Sequence, residues 1–261
     1  GKPRRITVIM PMLYEGRQHR RGARESLDCA IALRELIDMG VTNIITFDAH
    51  DARVQNAIPY SGFENVLPHY QMIKALKNTI SDFHFDCRHA IIISPDEGGL
   101  NRAMYYSSVL GLDLGMFYKR RDYSTVINGR NPIVAHEFLG NDVSGKDVII
   151  IDDMISSGDS ILDVADQLKK RGARRNFVFA TFGLFTDGLD KFDAAYKEGR
   201  ISKVFTTNLI YVPENLKKRE WHTTVDLSKF VALIIDTLNY DKSISSLLNP
   251  VEKINTILSK K

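Results

Sequence analysis

Val148-Ile149-Ile150-Ile151-Asp152-Asp153-Met154-Ile155-Ser156-Ser157-Gly158-Asp159-Ser160 is the stretch that decides the fold. Its unbroken apolar, β-branched start predicts a strand buried on both faces, which parallel sheets obtain from the helices that cover them. Two acids follow, then a turn of small residues that opens a helix predicted over Ser160–Lys170. Backbone N–H groups at such a turn and helix start can cradle a dianionic phosphate, aided by the Ser156, Ser157 and Ser160 hydroxyls, while Gly158 allows close approach. Asp152 and Asp153 are suited to accept hydrogen bonds from vicinal ribose hydroxyls. Taken singly, an Asp pair ending a strand or a Ser capping a helix occurs in many α/β proteins. The ordered string favours a loop for ribose and its 5-phosphate.

Working outward, apolar runs between turn residues predict strands at Ile6–Met10, Asn43–Phe47, Ala90–Ser94, Gly115–Tyr118, Asp147–Ile151, Asn176–Thr181 and Lys203–Thr206. Helical spacing of apolar residues predicts helices over Leu27–Met39, Gly99–Leu110 and Phe230–Leu238 as well. The alternation implies βαβ units, and ligands in such sheets bind beyond the carboxyl ends of strands. A boundary near Pro68–Tyr70 divides the chain into residues 1–68 and 69–241, with 242–261 a candidate to pack back on the first part.

Composition narrows the classes. The chain has 261 residues, 44% hydrophobic and 26% charged, as expected of a globular protein with one large or two modest domains. A net charge of +3 with dispersed Lys and Arg points to no nucleic-acid or membrane partner and leaves small phosphorylated ligands open. Cys29 and Cys87 have no metal-ligand spacing, which fits a reducing cytoplasm. No apolar stretch approaches the roughly 18–20 residues that span a bilayer.

Four further stretches carry candidate chemistry: Tyr14-Glu15-Gly16-Arg17-Gln18-His19-Arg20, Phe47-Asp48-Ala49-His50, Ser94-Pro95-Asp96-Glu97-Gly98-Gly99 followed by Arg102, and Tyr118-Lys119-Arg120-Arg121. Each has a plain alternative when it stands alone: a basic surface loop, a structural histidine, a tight Pro-Asp-x-Gly turn and a solvated basic turn. Together with the Asp152–Ser160 loop they resemble the ribose-phosphate pyrophosphokinase family, within the type I phosphoribosyltransferase fold. The resemblance covers most of the chain. It implies an α/β architecture of two phosphoribosyltransferase-like domains with mostly parallel sheets flanked by helices, the N-terminal one incomplete.

The resemblance further implies transfer of the β,γ-pyrophosphoryl group of ATP to the 1-hydroxyl of ribose 5-phosphate, giving phosphoribosyl pyrophosphate and AMP. Arg17, Gln18 and Arg20 match nucleotide-contacting residues, and guanidinium groups suit polyphosphate by binding bidentately while always charged. His50 and Asp96 match the residues associated with the metal–nucleotide complex, and a hard carboxylate oxygen suits Mg²⁺. Lys119 and Arg121 match catalytic cations at the start of a flexible loop, where they would stabilise charge on the transferring group. Asp152, Asp153, Ser156, Ser157, Gly158, Asp159 and Ser160 match the ribose 5-phosphate site. A homo-oligomer is implied, a hexamer among its forms, supplying nucleotide biosynthesis.

Departures from the family pattern are specific. His19 stands where an acid is usual, Phe182 where many members have His, and Ser156 and Asp159 where the loop has an acid and a glycine. Asp159 opposes a phosphate electrostatically unless it turns away. Members also carry a segment before the strand at Ile6 that contributes adenine contacts across a subunit interface. Two other functions therefore stay open: a phosphoribosyltransferase, and an inactive regulatory homologue that binds catalytic subunits. Trp221 and His222, amid polar neighbours, are expected at a surface or interface.

Overall fold

A computed structural model describes residues 3–22, 24–121 and 133–259. In chain order the first elements are β1 (Thr7–Met10), α1 (Asp28–Asp38), β2 (Asn43–Phe47), a 3₁₀ turn (Ala52–Ala57), β3 (Gly62–Val66), α2 (His69–Thr79), β4 (Ala90–Ser94), α3 (Leu100–Leu110) and β5 (Asp113–Arg121). There follow β6 (Ile133–Leu139), β7 (Asp147–Ile155), α4 (Asp159–Lys170), β8 (Arg175–Gly183), α5 (Asp190–Lys197) and β9 (Lys203–Thr207). The chain ends with α6 (Glu214–Lys217), β10 (His222–Val225), α7 (Ser228–Asn239), α8 (Ser245–Leu248) and α9 (Val251–Ser259).

The chain forms two compact units. The first comprises residues 1–68, 209–211 and 227–249 and holds a parallel sheet in the order β1-β2-β3. Its core gathers Leu33, Ile44, Val54 and Ile58. The helix expected at Phe230–Leu238 is α7, and it belongs to this unit: Phe230 meets Phe47 edge-on at 6.3 Å, and Arg5 bonds both Asp241 and the Leu238 carbonyl.

The second unit comprises residues 69–208, 212–226 and 250–261. Its seven strands run in the order β10-β9-β8-β7-β4-β5-β6, all parallel except β6, which returns antiparallel on β5. The sequence division placed 227–241 with this unit and 242–261 as a candidate for the first; the structure instead groups 227–249 with the first unit and 250–261 with the second. α9 joins the second unit because Ile254 is fully buried and the Ile257 carbonyl accepts from Lys77 Nζ on α2.

The apolar run behaves as its composition requires: Val148, Ile149, Ile150 and Ile151 are each at most 1% exposed. Strands β5, β7 and β8 extend beyond the lengths expected, and β3, β6 and β10 were not anticipated. Trp221 and His222 are a correction, since they are 1% and 6% exposed instead of lying at a surface. Trp221 stacks on Phe192 at 5.4 Å and its Nε1 donates to Asp193 Oδ1 at 2.6 Å. Burial lowers the His222 pKa to about 4, so the imidazole is neutral beside the Thr206 hydroxyl, 2.8 Å from Nε2. Truncating Trp221 to Ala is therefore expected to cost about 3–5 kcal/mol, as for a buried aromatic. A urea-unfolding shift within about 0.5 kcal/mol would instead restore the surface assignment.

Candidate functional site

Strand order locates the site in the second unit. From β4 the chain passes through α3 to β5 on one side, and from β7 through α4 to β8 on the other. Directions of winding diverge between β4 and β7, and the carboxyl ends of strands at such a switch point are where open α/β sheets bind ligands. β4 pairs with β7 only as far as Ile93↔Ile150, whereas β8 accompanies β7 to Ile155↔Gly183. Asp152 and Asp153 thus occupy the part of β7 that outruns β4.

The two acids sit in different surroundings. Asp153 is 3% exposed, and its backbone N–H donates to Asp152 Oδ1 at 2.9 Å. Burial, and then the charge of Asp153, push the Asp152 carboxyl well above the usual carboxylate range, against a smaller opposing pull from Arg102 on α3.

The Ser94–Gly99 turn lies against the same strand end. Ser94 Oγ donates to the Asp96 carbonyl at 2.7 Å, and the Gly99 N–H donates to Asp96 Oδ1 at 3.1 Å. A Cβ on Gly99 would come within 3.0 Å of Ser94 Oγ and 3.5 Å of the Ile151 carbonyl, so the turn closes tightly on β7 and a larger residue would have to displace the Ser94 hydroxyl. The turn that carries Asp96 thereby lies against Ile151, the residue before Asp152.

In the loop itself, Gly158 has φ +90°, and a Cβ there would meet the Phe192 ring at 2.4 Å. Packing by α5 is thus a second reason for glycine at this position. The N-cap of α4 is Gly158, which has no side chain to offer. Ser157 instead serves the helix start: its Oγ accepts from the Asp159 N–H at 3.4 Å and donates to Asp159 Oδ2 at 2.9 Å. Asp159 Oδ1 accepts from Lys191 Nζ at 2.6 Å, and that contact lowers its pKa. Sequence reasoning did not find Lys191 or Phe192; no spacing rule joins a loop to a helix that follows the next strand.

Lys119 and Arg121 lie on β5, opposite His136 and Ile133 of β6, with a bulge between Arg120 and Arg121. The flexible loop expected after them falls at 122–132, outside the described residues.

The remaining candidates are in the first unit. Arg17 and Arg20 are exposed on a turn where the Gln18 N–H donates to the Glu15 carbonyl at 2.8 Å. At the carboxyl end of β2, Asp48 adopts φ 42° and exposed His50 follows. His19 is 5.5 Å from His50 between ring centroids, and its Nε2 is 3.4 Å from Asp51 Oδ2. Asp51 is lowered to about pKa 2, chiefly by its hydrogen bond with Arg53. A carboxylate therefore stands beside position 19 although the residue there is histidine.

Parallel strands, covering helices and an acidic strand end at the switch point define a phosphoribosyltransferase-type α/β protein. The model of the phosphoribosyl synthetase-associated domain matches residues 130–249. Ribose-phosphate pyrophosphokinase of Vibrio vulnificus strain YJ016 is 30% identical over 249 residues, spanning 94% of this chain and 74% of the relative. That of Vibrio parahaemolyticus is 28% identical over the same shares. Phosphoribosylpyrophosphate synthetase from Mycobacterium smegmatis shares the fold with a TM-score of 0.77 at 22% identity, over 91% of this chain and 72% of that one. The chain belongs to the ribose-phosphate pyrophosphokinase family. Among the described residues, no helix is long and apolar enough to cross a membrane.

The raised Asp152 pKa has a thermodynamic consequence. Because the folded state holds this proton more tightly than the unfolded chain, a stability cost develops as pH rises through the ordinary carboxylate pKa of about 3.9 and is complete above the raised value. Asp152→Asn is expected to add roughly 0.5–2 kcal/mol at neutral pH, on the scale of replacing a residue kept for function. Chemical denaturation should find that gain at pH 7 and lose it below about pH 4; an equal gain at both would contradict the desolvated carboxyl.

Proposed function

We propose that the chain is a ribose-phosphate pyrophosphokinase, transferring the pyrophosphoryl group of ATP to the 1-hydroxyl of ribose 5-phosphate to give phosphoribosyl pyrophosphate and AMP. The observation that carries this is the packing of the Ser94–Gly99 turn against Ile151 of β7, immediately before Asp152 and Asp153, where the pairing of β4 with β7 has ended. Asp152 and Asp153 accept hydrogen bonds from the ribose hydroxyls. The Ser156 and Ser160 hydroxyls and the backbone amides around Gly158 hold the 5-phosphate, while the Ser157 hydroxyl is kept by Asp159. Arg17, Gln18, Arg20 and His50 serve the nucleotide.

Among the described residues, no three His, Cys, Asp or Glu gather to hold a metal. That sparse donor set, with Asp96 offering hard oxygen, fits Mg²⁺, which takes few protein ligands beside substrate phosphates and keeps several waters. Asp96 of the second unit would hold it, His50 being a separate candidate ligand in the first unit, and when bound it supplies neutralisation of polyphosphate charge. Lys119 and Arg121 stabilise charge on the transferring group, because such transfer rests on positioning and electrostatics. Action in the cytoplasm as a homo-oligomer supplying nucleotide biosynthesis completes the proposal.

The test is formation of AMP and phosphoribosyl pyrophosphate from Mg²⁺, ATP and ribose 5-phosphate, with Lys119→Ala alongside. Turnover is expected, falling at least about 100-fold in the variant, the scale of losing one charge-stabilising group. Absence of both products would sink the assignment, and consumption of phosphoribosyl pyrophosphate with a base would replace it with a phosphoribosyltransferase.

A further inference from the structure

Asp159 presents a physical conflict if residues 156–160 bind a phosphate. Its side chain is 71% exposed in the first turn of α4, where a carboxylate repels a dianion that the helix N-terminus attracts. The structure contains a counter-charge that no motif revealed. Lys191 Nζ lies 2.6 Å from Asp159 Oδ1 and 3.1 Å from Asp187 Oδ2, while Ser157 Oγ occupies the other Asp159 oxygen at 2.9 Å. Both carboxylate oxygens of Asp159 are thereby engaged.

Lys191 is held in place relative to the loop by backbone. The Leu184 and Thr186 N–H groups donate to the Ile155 and Ser156 carbonyls at 2.9 and 3.0 Å, fixing the segment that leads to α5 directly on the start of the loop. The next residue along α5, Phe192, fills the space where a Gly158 Cβ would be. An ion pair open to water is screened and adds little to stability, so this lysine is a weak fastener of the fold. Its position suits a different task.

We propose that Lys191 is a positioning residue for sugar-phosphate binding, which holds and neutralises the Asp159 carboxylate so that the loop accepts a 5-phosphate. This rests on the assignment of residues 156–160 as the phosphate loop. Lys191 is shared between Asp159 and Asp187, so it offsets part of their charge, and removing the lysine alone leaves both carboxylates unopposed beside the ligand.

The experiment is a double-mutant cycle on the whole chain, with ribose 5-phosphate affinity measured by calorimetry and the KM values for both substrates measured in turnover. Lys191→Met is expected to weaken ribose 5-phosphate binding about tenfold, the scale of one charge-assisted contact, with the KM for ATP moving less than about twofold. Lys191→Arg keeps the charge and should stay within about threefold of the unsubstituted chain, which guards against a folding defect in the Met variant. Asp159→Asn should bind at least as tightly as the unsubstituted chain, and Asp159→Asn combined with Lys191→Met should recover most of the loss. The Lys191→Met deficit should also change with salt, because exposed charges are screened. Equal affinity for Lys191→Met and the unsubstituted chain, or a double variant as weak as Lys191→Met alone, overturns the role of Lys191 and leaves the loop assignment standing. No binding of ribose 5-phosphate by the unsubstituted chain overturns the loop assignment, and this inference with it.

Discussion

Burial of Val148–Ile151 on both faces of the seven-stranded sheet is the constraint on which the rest of the second unit depends. Each such side chain gains roughly 1.5–3 kcal/mol relative to exposure, and β4 and β8 supply its backbone partners. That anchor allows β7 to continue past the end of β4 with β8 as its neighbour. On that overhang Asp152 and Asp153, as successive residues of a strand, project to its two faces beyond the end of its pairing with β4. The desolvation of Asp152 is the cost of that placement, and the apolar anchor beneath it offsets the cost.

How much of this was legible follows from the same physics. Central strands are apolar along their length because both faces are covered, so β4, β7, β8 and β9 announce themselves as runs such as Ile91-Ile92-Ile93. Three of the edge strands carry no such mark: β3 reads Gly62-Phe63-Glu64-Asn65-Val66 with alternating exposure, and β6 and β10 close the two ends of the larger sheet; β1, also an edge, was legible from its apolar run. The unanticipated α2 begins directly after Pro68, and only Met72, Ile73 and Leu76 of its apolar residues reach the core. In the site, residues contiguous in sequence were legible, among them the Asp152–Ser160 loop and the Ser94–Gly99 turn. Residues delivered from another element were not, since which helix packs on a loop is decided by tertiary structure.

Lys191 shows why the odd residue of a motif is best judged after the fold is known. Read alone, Asp159 counts against a phosphate loop. Its hydrogen bonds with Lys191 and Ser157 change the sign of that argument, because a carboxylate whose oxygens are occupied presents a smaller field to a ligand. Asp51 beside His19 makes a similar point in the first unit, where the acid is contributed by a neighbouring strand end instead of the expected position.

Trp221 extends the reasoning to the far side of the sheet. Its ring stacks on Phe192, Phe192 meets Phe185 at 5.0 Å, and Phe192 also fills the space beside Gly158. The Trp221 carbonyl in turn accepts from the Val204 N–H at 2.7 Å, tying this aromatic stack to β9. A tryptophan amid polar neighbours therefore supports, through one intervening ring, the backbone conformation of the loop at the centre of the site. Phe192 and Lys191 are consecutive on α5, so packing and charge reach the loop from a single helix. The glycine that accommodates Phe192 and the acid that meets Lys191 are likewise consecutive. The departure at Asp159 thus belongs to a matched surface between α4 and α5, in which steric fit sets the distance at which the charges meet.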